Sequence, residues 1–247
     1  MYIIILIIIL IYLIIYLLQD LFLFPYISKI LIKYSANEEL LDNGNLVIKE
    51  VNNNNQITIF FPGNAMHVDI IKNNFAYKNV IIVNYRPMKN DGYFYGFGNK
   101  NHAIKNGIEA YKWGLENYNE VKVVVFSIGN GVFSEVYKTI VKDNLQRPKE
   151  IISINGLTNL KDIVINSYGL FTYPYYYFIT SLNSEDNYIK HLDDNVPYKF
   201  IHGDKDKIIP HSLVKKMYKN MKKAKKNVSL ITIENANHND IDIYSYL

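Results

Sequence analysis

From residue 46 onward the chain alternates between short, nearly unbroken apolar runs and longer stretches whose apolar residues recur every three or four positions. The runs are LVIKEV (46–51), ITIFF (57–61), VIIVNY (80–85), VKVVVF (121–126), EIISIN (150–155), YKFIH (198–202) and VSLITI (228–233). Most lack strict in–out alternation, which is the pattern of strands covered on both faces. Between them, residues 66–75, 100–118, 130–142, 157–166 and 210–224 carry the helical period. Strand–helix alternation predicts an α/β fold with a mostly parallel sheet of about seven or eight strands and helices on both faces. Ligands of such sheets bind at the carboxyl ends of the strands.

The N-terminus breaks this pattern. Residues 2–18, YIIILIIILIYLIIYLL, hold no charge, and apolar character resumes after Gln19 and Asp20 with LFLFPY. A helix over this stretch spans roughly 25–35 Å, about one bilayer core. A cleavable signal peptide wants a basic start, a shorter apolar run and a small-residue cleavage site, and none is evident. The expected organisation is a transmembrane anchor over 1–25 that contacts lipid through residues 2–24, a connecting segment over 26–44, and one α/β domain over 45–247. Lys29 and Lys33 follow the anchor and no charge precedes it, which weakly favours a cytosolic domain on a single-pass membrane protein.

Composition narrows the chemistry. Hydrophobic residues at 49% and charged residues at 20% describe a globular chain. A net charge of +4 is too mild to imply nucleic acid. The chain has no cysteine, so disulfides, thiolate metal sites and cysteine nucleophiles are excluded. Asn-rich runs such as Asn52 to Asn55 read as compositional bias and as a turn. His67, His102, His191 and His211 lack metal-ligand spacing, so no metal is assigned.

Ser127 ends the strand VKVVVF just before a helical pattern. It is either a helix-capping serine or a nucleophile on a tight strand-to-helix turn. The local residues, Val125-Phe126-Ser127-Ile128-Gly129, match G-x-S-x-G except for the first glycine. A serine nucleophile needs a base, and the base an orienting acid. YKFIHGDKDKIIP (198–210) supplies Asp206 after a later strand, and TIENANHNDI (232–241) supplies His238 after the last. The order Ser, Asp, His is that of α/β-hydrolases.

Over nearly all of residues 45–247 the chain resembles an α/β-hydrolase-fold serine hydrolase. Within that superfamily it is similar to membrane-anchored BEM-like proteins and related depalmitoylating esterases. ITIFFPGNAMHVDI resembles the strand that enters their oxyanion loop, VIIVNYR the strand ending in Tyr-Arg, and FSIGNGV the nucleophile turn. IHGDKDKIIP and NANHNDI resemble the acid and histidine loops. The resemblance implies Ser127 as nucleophile, Asp206 as orienting acid and His238 as general base. Asp206, rather than Asp204, fills the last place of His-Gly-x-x-Asp. It further implies an oxyanion hole made by the backbone N–H groups of Asn64 and Ile128, donors worth roughly 3–4 kcal/mol each. Three departures stand out. Val125 replaces the first turn glycine, Pro62 replaces a histidine, and Pro-Met-Lys-Asn-Asp-Gly follows Tyr85-Arg86. Val125 is expected to crowd the turn.

The function implied is hydrolysis of an acyl ester or thioester, on a lipid-like or S-acylated substrate, without a cofactor. The alternatives are a non-catalytic, membrane-tethered interaction module on a degenerate hydrolase fold and, ranked below it, a peptidase of the same fold. His202 reads as a structural histidine of the acid loop. The aromatic segment LFTYPYYYFITSL (170–182) is either an acyl-binding or membrane-facing wall or plain packing. The lysines between 215 and 226 form a solvated helix face or a surface for anionic lipid.

Overall fold

The apolar runs pair side by side. The computed structural model describes residues 6–7, 9–11, 13–14, 23–24, 27–31, 37–49, 55–64, 66, 68–75, 78–86, 93–96, 98–169 and 182–247. Most of the N-terminal apolar run, Asn52–Asn54, His67, residues 87–92 and the aromatic segment up to residue 181 lie outside the described residues.

In chain order the strands and helices are β1 (Ile27–Leu31), β2 (Glu38–Leu40), β3 (Leu46–Ile48), β4 (Gln56–Phe61), α1 (Val68–Ile71), β5 (Val80–Ile82), β6 (Tyr93–Gly96), α2 (Lys100–Asn117), β7 (Glu120–Phe126) and α3 (Ile128–Lys142). Then follow β8 (Ile151–Ile154), α4 (Leu160–Tyr168), α5 (Ser184–His191), β9 (Tyr198–Gly203), α6 (His211–Lys223) and β10 (Val228–Ile233). Eight strands form one sheet in the order β10-β9-β8-β7-β4-β5-β3-β2. β3 runs antiparallel to both neighbours, and the other pairs are parallel. β1 and β6 pair antiparallel as a separate two-stranded sheet.

Period-two alternation sorts the side chains into two cores. Ile57, Ile59 and Phe61 of β4 and Val121, Val123 and Val125 of β7 face one core, completed by Val132, Val136 and Ile140 of α3 and Val214, Met217 and Met221 of α6. Phe60 of β4 and Val124 and Phe126 of β7 face the other, against Val68, Ile71, Phe75, Ile241 and Ile243. Burial on both faces explains why these strands read as unbroken apolar runs.

The edges depart from expectation. β2, with the sequence EEL, lies inside the expected connecting segment and pairs with β3, and β1 lies there too. α5, SEDNYIKH, starts where the Asn183 side chain accepts from the Asp186 amide. The pattern over 66–75 resolves into α1 and a 3₁₀ turn at Lys72–Phe75.

The expectation that residues 2–24 all contact lipid also needs correcting at its end. Phe24 is 2% exposed and meets the Tyr85 ring edge-on at 5.7 Å, and Leu23 packs on the same core. Core packing takes up the last apolar side chains of the run. Earlier in the run, the described residues between Leu6 and Ile14 are helical and exposed. Among the described residues no helix is long and apolar enough to cross a membrane.

Candidate active site

The sheet order sets the crevice. From β4 the chain crosses to β5 on one side, and from β7 to β8 on the other. Connections that leave in opposite directions open a gap at the carboxyl ends of the two adjacent strands. Pro62-Gly63-Asn64 follows β4 and Ser127 follows β7, so both segments lie at that gap.

Ser127 has φ 52° and ψ −123°, a backbone state that L side chains rarely adopt. Surrounding bonds hold it there. Its N–H donates to the Ile154 carbonyl at 3.2 Å, and its carbonyl accepts from the amides of Asn130 and Leu157. The close approach falls at Gly129, where a Cβ would lie 2.2 Å from the Phe61 carbonyl oxygen. Val125 sits fully buried in β7, paired with Phe61 and Ser153. It does not block the turn, because the tight contact is on the helix side of Ser127.

The three residues named from the sequence meet here. His238 Nε2 is 3.0 Å from Ser127 Oγ, and His238 Nδ1 is 2.7 Å from Asp206 Oδ2. An ionised carboxylate only accepts, so Nδ1 carries the ring proton and Nε2 is left to accept the serine proton. The other carboxylate oxygen of Asp206 accepts from the amides of Ile208 and Ile209, at 2.8 and 2.9 Å. Burial pushes the Asp206 carboxyl up, but the bonds from His238 and the Ile209 amide outweigh it and hold the pKa below its ordinary value. The Phe126 ring lies 5.2 Å from the His238 ring.

A cleft of about 590 Å³ opens at Ser127 and His238. Met66, Phe126, Ile208, Ile241, Ile243 and Tyr244 supply its apolar walls, while Asp240 and Asp242 stand on the C-terminal wall. Asn64 lines the same cleft. Ile128 is the first residue of α3, adjacent to Ser127 in the chain.

Several solved structures with this architecture carry esterase names. Carboxyl esterase 2 of the mycorrhizal fungus Tuber melanosporum superposes with a TM-score of 0.56 at 17% identity, over 91% of this chain and 87% of its own. A Pyrococcus furiosus esterase gives 0.53 at 17%, over 90% and 85%. An esterase/lipase from an uncultured bacterium gives 0.57 at 11%, over 84% and 78%. No protein-family model matches the sequence, and no curated protein matches it. The fold is that of the α/β-hydrolases.

On this α/β-hydrolase frame, a second layer of polar residues holds the site, and sequence reasoning missed most of it. Asn155, fully buried at the end of β8, donates from Nδ2 to the His238 carbonyl at 2.7 Å and accepts at Oδ1 from the Gly203 amide at 3.0 Å. It ties the histidine loop to the end of β9. Asn130 accepts at Oδ1 from the hydroxyls of Tyr188 and Tyr198 and donates to the Leu157 carbonyl. Burial holds both tyrosine pKa values above normal, so the hydroxyls stay protonated donors. Tyr85, also raised by burial, donates to the Pro62 carbonyl at 3.0 Å and braces the loop that carries Asn64. His202 Nε2 lies 2.8 Å from the Ile209 carbonyl and 3.4 Å from Asp206 Oδ2. The carbonyl only accepts, so Nε2 carries a proton, and His202 closes the acid turn as the sequence suggested. Burial pushes its pKa down to about 4.

Proposed function

We propose that the chain is a membrane-anchored serine hydrolase that cleaves an acyl ester or thioester through Ser127, His238 and Asp206. The observation that carries this reading is the continuous bonded path from Asp206 through His238 to a strained Ser127 at the floor of an open cleft. The esterase names of the structural neighbours support the same chemistry.

Ser127 Oγ attacks the acyl carbonyl carbon while His238 Nε2 takes the hydroxyl proton. The carbonyl oxygen becomes an oxyanion, stabilised by the N–H groups of Ile128 and Asn64. His238 then returns the proton to the departing oxygen or sulfur, the old acyl bond breaks, and an acyl-Ser127 ester remains. Water enters, gives a proton to His238 and attacks the acyl carbon. Collapse of the second oxyanion frees the acid and restores the serine hydroxyl. Asp206 keeps the ring in the required tautomer and stabilises the imidazolium.

The apolar walls of the cleft suit an acyl chain, and no step needs a cofactor. The lipid-like or S-acylated substrate and the kinship with membrane-anchored depalmitoylating esterases rest on the sequence resemblance. The anchor rests on the uncharged run over residues 2–18.

The test is active-site labelling of the full chain in detergent with a fluorophosphonate probe. Wild type should label, Ser127→Ala should not, and Asp206→Asn should label on the order of 10⁴ times more slowly. A folded wild type that stays unlabelled ends the catalytic reading.

A further inference from the structure

α6 carries five lysines and no acid in thirteen residues, HSLVKKMYKNMKK. Its buried face is set by Val214, Met217 and Met221, so the lysines lie outward. Lys215, Lys219 and Lys223 follow the i, i+4 spacing of one stripe, where like charges repel. Only Lys222 and Lys223, in the last turn, gain from the helix dipole. Lys216 is partly compensated by Asp162 at 3.2 Å. A shallow groove of about 380 Å³ runs along this face, lined by Lys215, Lys216, Lys219 and Lys223, with Ser212 and Asn220 completing it. For the isolated molecule this charge pattern is unfavourable. Against an anionic surface it is favourable.

The helix begins three residues after Ile208, which lines the catalytic cleft. Between Asp206 and the first residue of α6 lies a loop whose Ile208 side chain is 54% exposed while lining the cleft. Lys205 and Lys207, both exposed, flank Asp206 just before it. An exposed apolar side chain set among lysines matches the chemistry of a bilayer interface, with the apolar group in the acyl boundary and the ammonium groups among the headgroups. The stripe from Lys215 to Lys223 runs about 12 Å along the helix. The carboxylates of the cleft, Asp240 and Asp242, belong to the C-terminal wall and not to α6.

We propose that the Lys205–Ile208 loop and the lysine stripe of α6 dock on an anionic membrane surface, so that the cleft mouth at Ile208 faces the bilayer. Asp206 itself is buried within this loop, and the lysine stripe of α6 lies apart from the catalytic residues. Its consequence for substrate, that acyl groups are taken from the lipid interface, rests on the hydrolase reading. Anionic lipid is concentrated in the cytoplasmic leaflet, the side that Lys29 and Lys33 favour for this domain.

The experiment uses the full chain and vesicles of phosphatidylcholine, alone or with phosphatidylserine. The proposed anchor inserts into either vesicle, so docking is read as quenching, by nitroxide-labelled lipid, of a fluorophore on Ser212→Cys, an exposed position of the lysine groove in a chain with no other cysteine, at low and high salt. Turnover of a soluble short-chain ester is measured in parallel. A lysine near an anionic surface contributes about fivefold in partitioning. Phosphatidylserine should therefore strengthen binding of wild type strongly at low salt and little at high salt. Lys215→Glu/Lys219→Glu/Lys223→Glu removes three such charges and adds three repelled ones, so it should lose well over roughly a hundredfold of that gain while keeping wild-type soluble-ester turnover. The corresponding Gln triple variant, which adds no repulsion, should fall between. Equal quenching on both vesicle types overturns the proposal, because the anchor and apolar insertion alone then account for the membrane contact. A phosphatidylserine gain that survives in both triple variants overturns it too, as does binding of inorganic phosphate without any response to phosphatidylserine. Absence of soluble-ester turnover in wild type counts against the hydrolase reading and leaves the quenching result to decide the docking.

Discussion

A methyl group at position 129 would sit 2.2 Å from the Phe61 carbonyl oxygen and 2.8 Å from the Pro62 carbonyl oxygen. Both are backbone atoms, so relief requires α3 to move away from β4. At Gly131 the nearest atoms are the Leu157 Cδ2 at 2.6 Å and Leu182 Cβ at 3.2 Å, and the Leu157 side-chain end can turn aside. Overpacking costs typically 1–3 kcal/mol, with the upper end set by how little the neighbours can yield. Gly129→Ala should therefore destabilise by about 3 kcal/mol or more and abolish probe labelling, while Gly131→Ala should cost about 1 kcal/mol and still label. Urea melts beside the labelling assay separate the two. Asn155 makes a second prediction at this scale. Asn155→Asp keeps the size and the acceptor for Gly203 N–H but loses the donor to the His238 carbonyl and places an anion against it. A small displacement of the base costs on the order of a hundredfold in rate. We expect kcat for a soluble ester to fall by about that factor with KM little changed. A fall in KM-controlled binding with kcat intact would assign Asn155 to the cleft wall instead.

The turn from β9 into α6 is the element that holds the acid, and it carries its own pH dependence. His202, at 1% exposure, faces Asp206, His211 and His238, and its pKa lies near 4 against about 6.5 when unfolded. Between those values the unfolded chain binds a proton that the folded chain does not, so stability falls as pH drops from about 6.5 towards 4. The span corresponds to about 3 kcal/mol. Asp206 acts further down: its depressed pKa adds stability above the unfolded carboxylate value, which is lost as pH falls through the folded one. His202→Asn should lower stability at pH 7 yet flatten its slope between pH 7 and 4, as read from denaturant midpoints. An unchanged slope would move the effect to other groups. The same turn shows what was legible in the sequence. A buried strand followed by His-Gly-x-x-Asp can be read locally, as can β7, because burial on both faces writes itself as an unbroken apolar run, whereas β10, a half-exposed edge strand, was legible from its β-branched residues. β2 could not be read: EEL is an edge strand whose pairing with β3 is settled by tertiary contact. α5 is too polar to show a stripe. The supporting asparagines were hidden by the abundance of that residue. Asn155 and Asn130 differ from their surface counterparts only in partners that lie far away in sequence, such as the His238 carbonyl and the Tyr198 hydroxyl.

At the scale of the molecule, the end of the apolar N-terminal run is joined to the proposed oxyanion loop. Phe24 packs edge-on against Tyr85, and the Tyr85 hydroxyl bonds the Pro62 carbonyl, two residues before Asn64. Gly98 lets the β6–α2 connection come close, since a Cβ there would lie 2.9 Å from Phe24 Cβ and 2.5 Å from the Tyr85 carbonyl oxygen. A chain cut at residue 27 to remove the apolar run would thus also remove a core side chain. Losing a buried Phe costs about 3–5 kcal/mol. A chain beginning at residue 23 should be more stable than one beginning at residue 27 by about 3 kcal/mol, and Phe24→Ala in the full chain should lose a similar amount. Tyr85→Phe separates the mechanical link from the packing. It keeps the ring contact with Phe24 but removes the bond to Pro62, at a cost of about 1 kcal/mol. If the hydroxyl holds Asn64 in place for the oxyanion, labelling by the fluorophosphonate should slow in Tyr85→Phe by about tenfold, more than its small loss of stability explains, because the fully folded fraction stays near unity. If the Tyr85→Phe chain labels at the wild-type rate, the loop is held without the hydroxyl, and the N-terminal run contributes stability to the domain but no order to its active site.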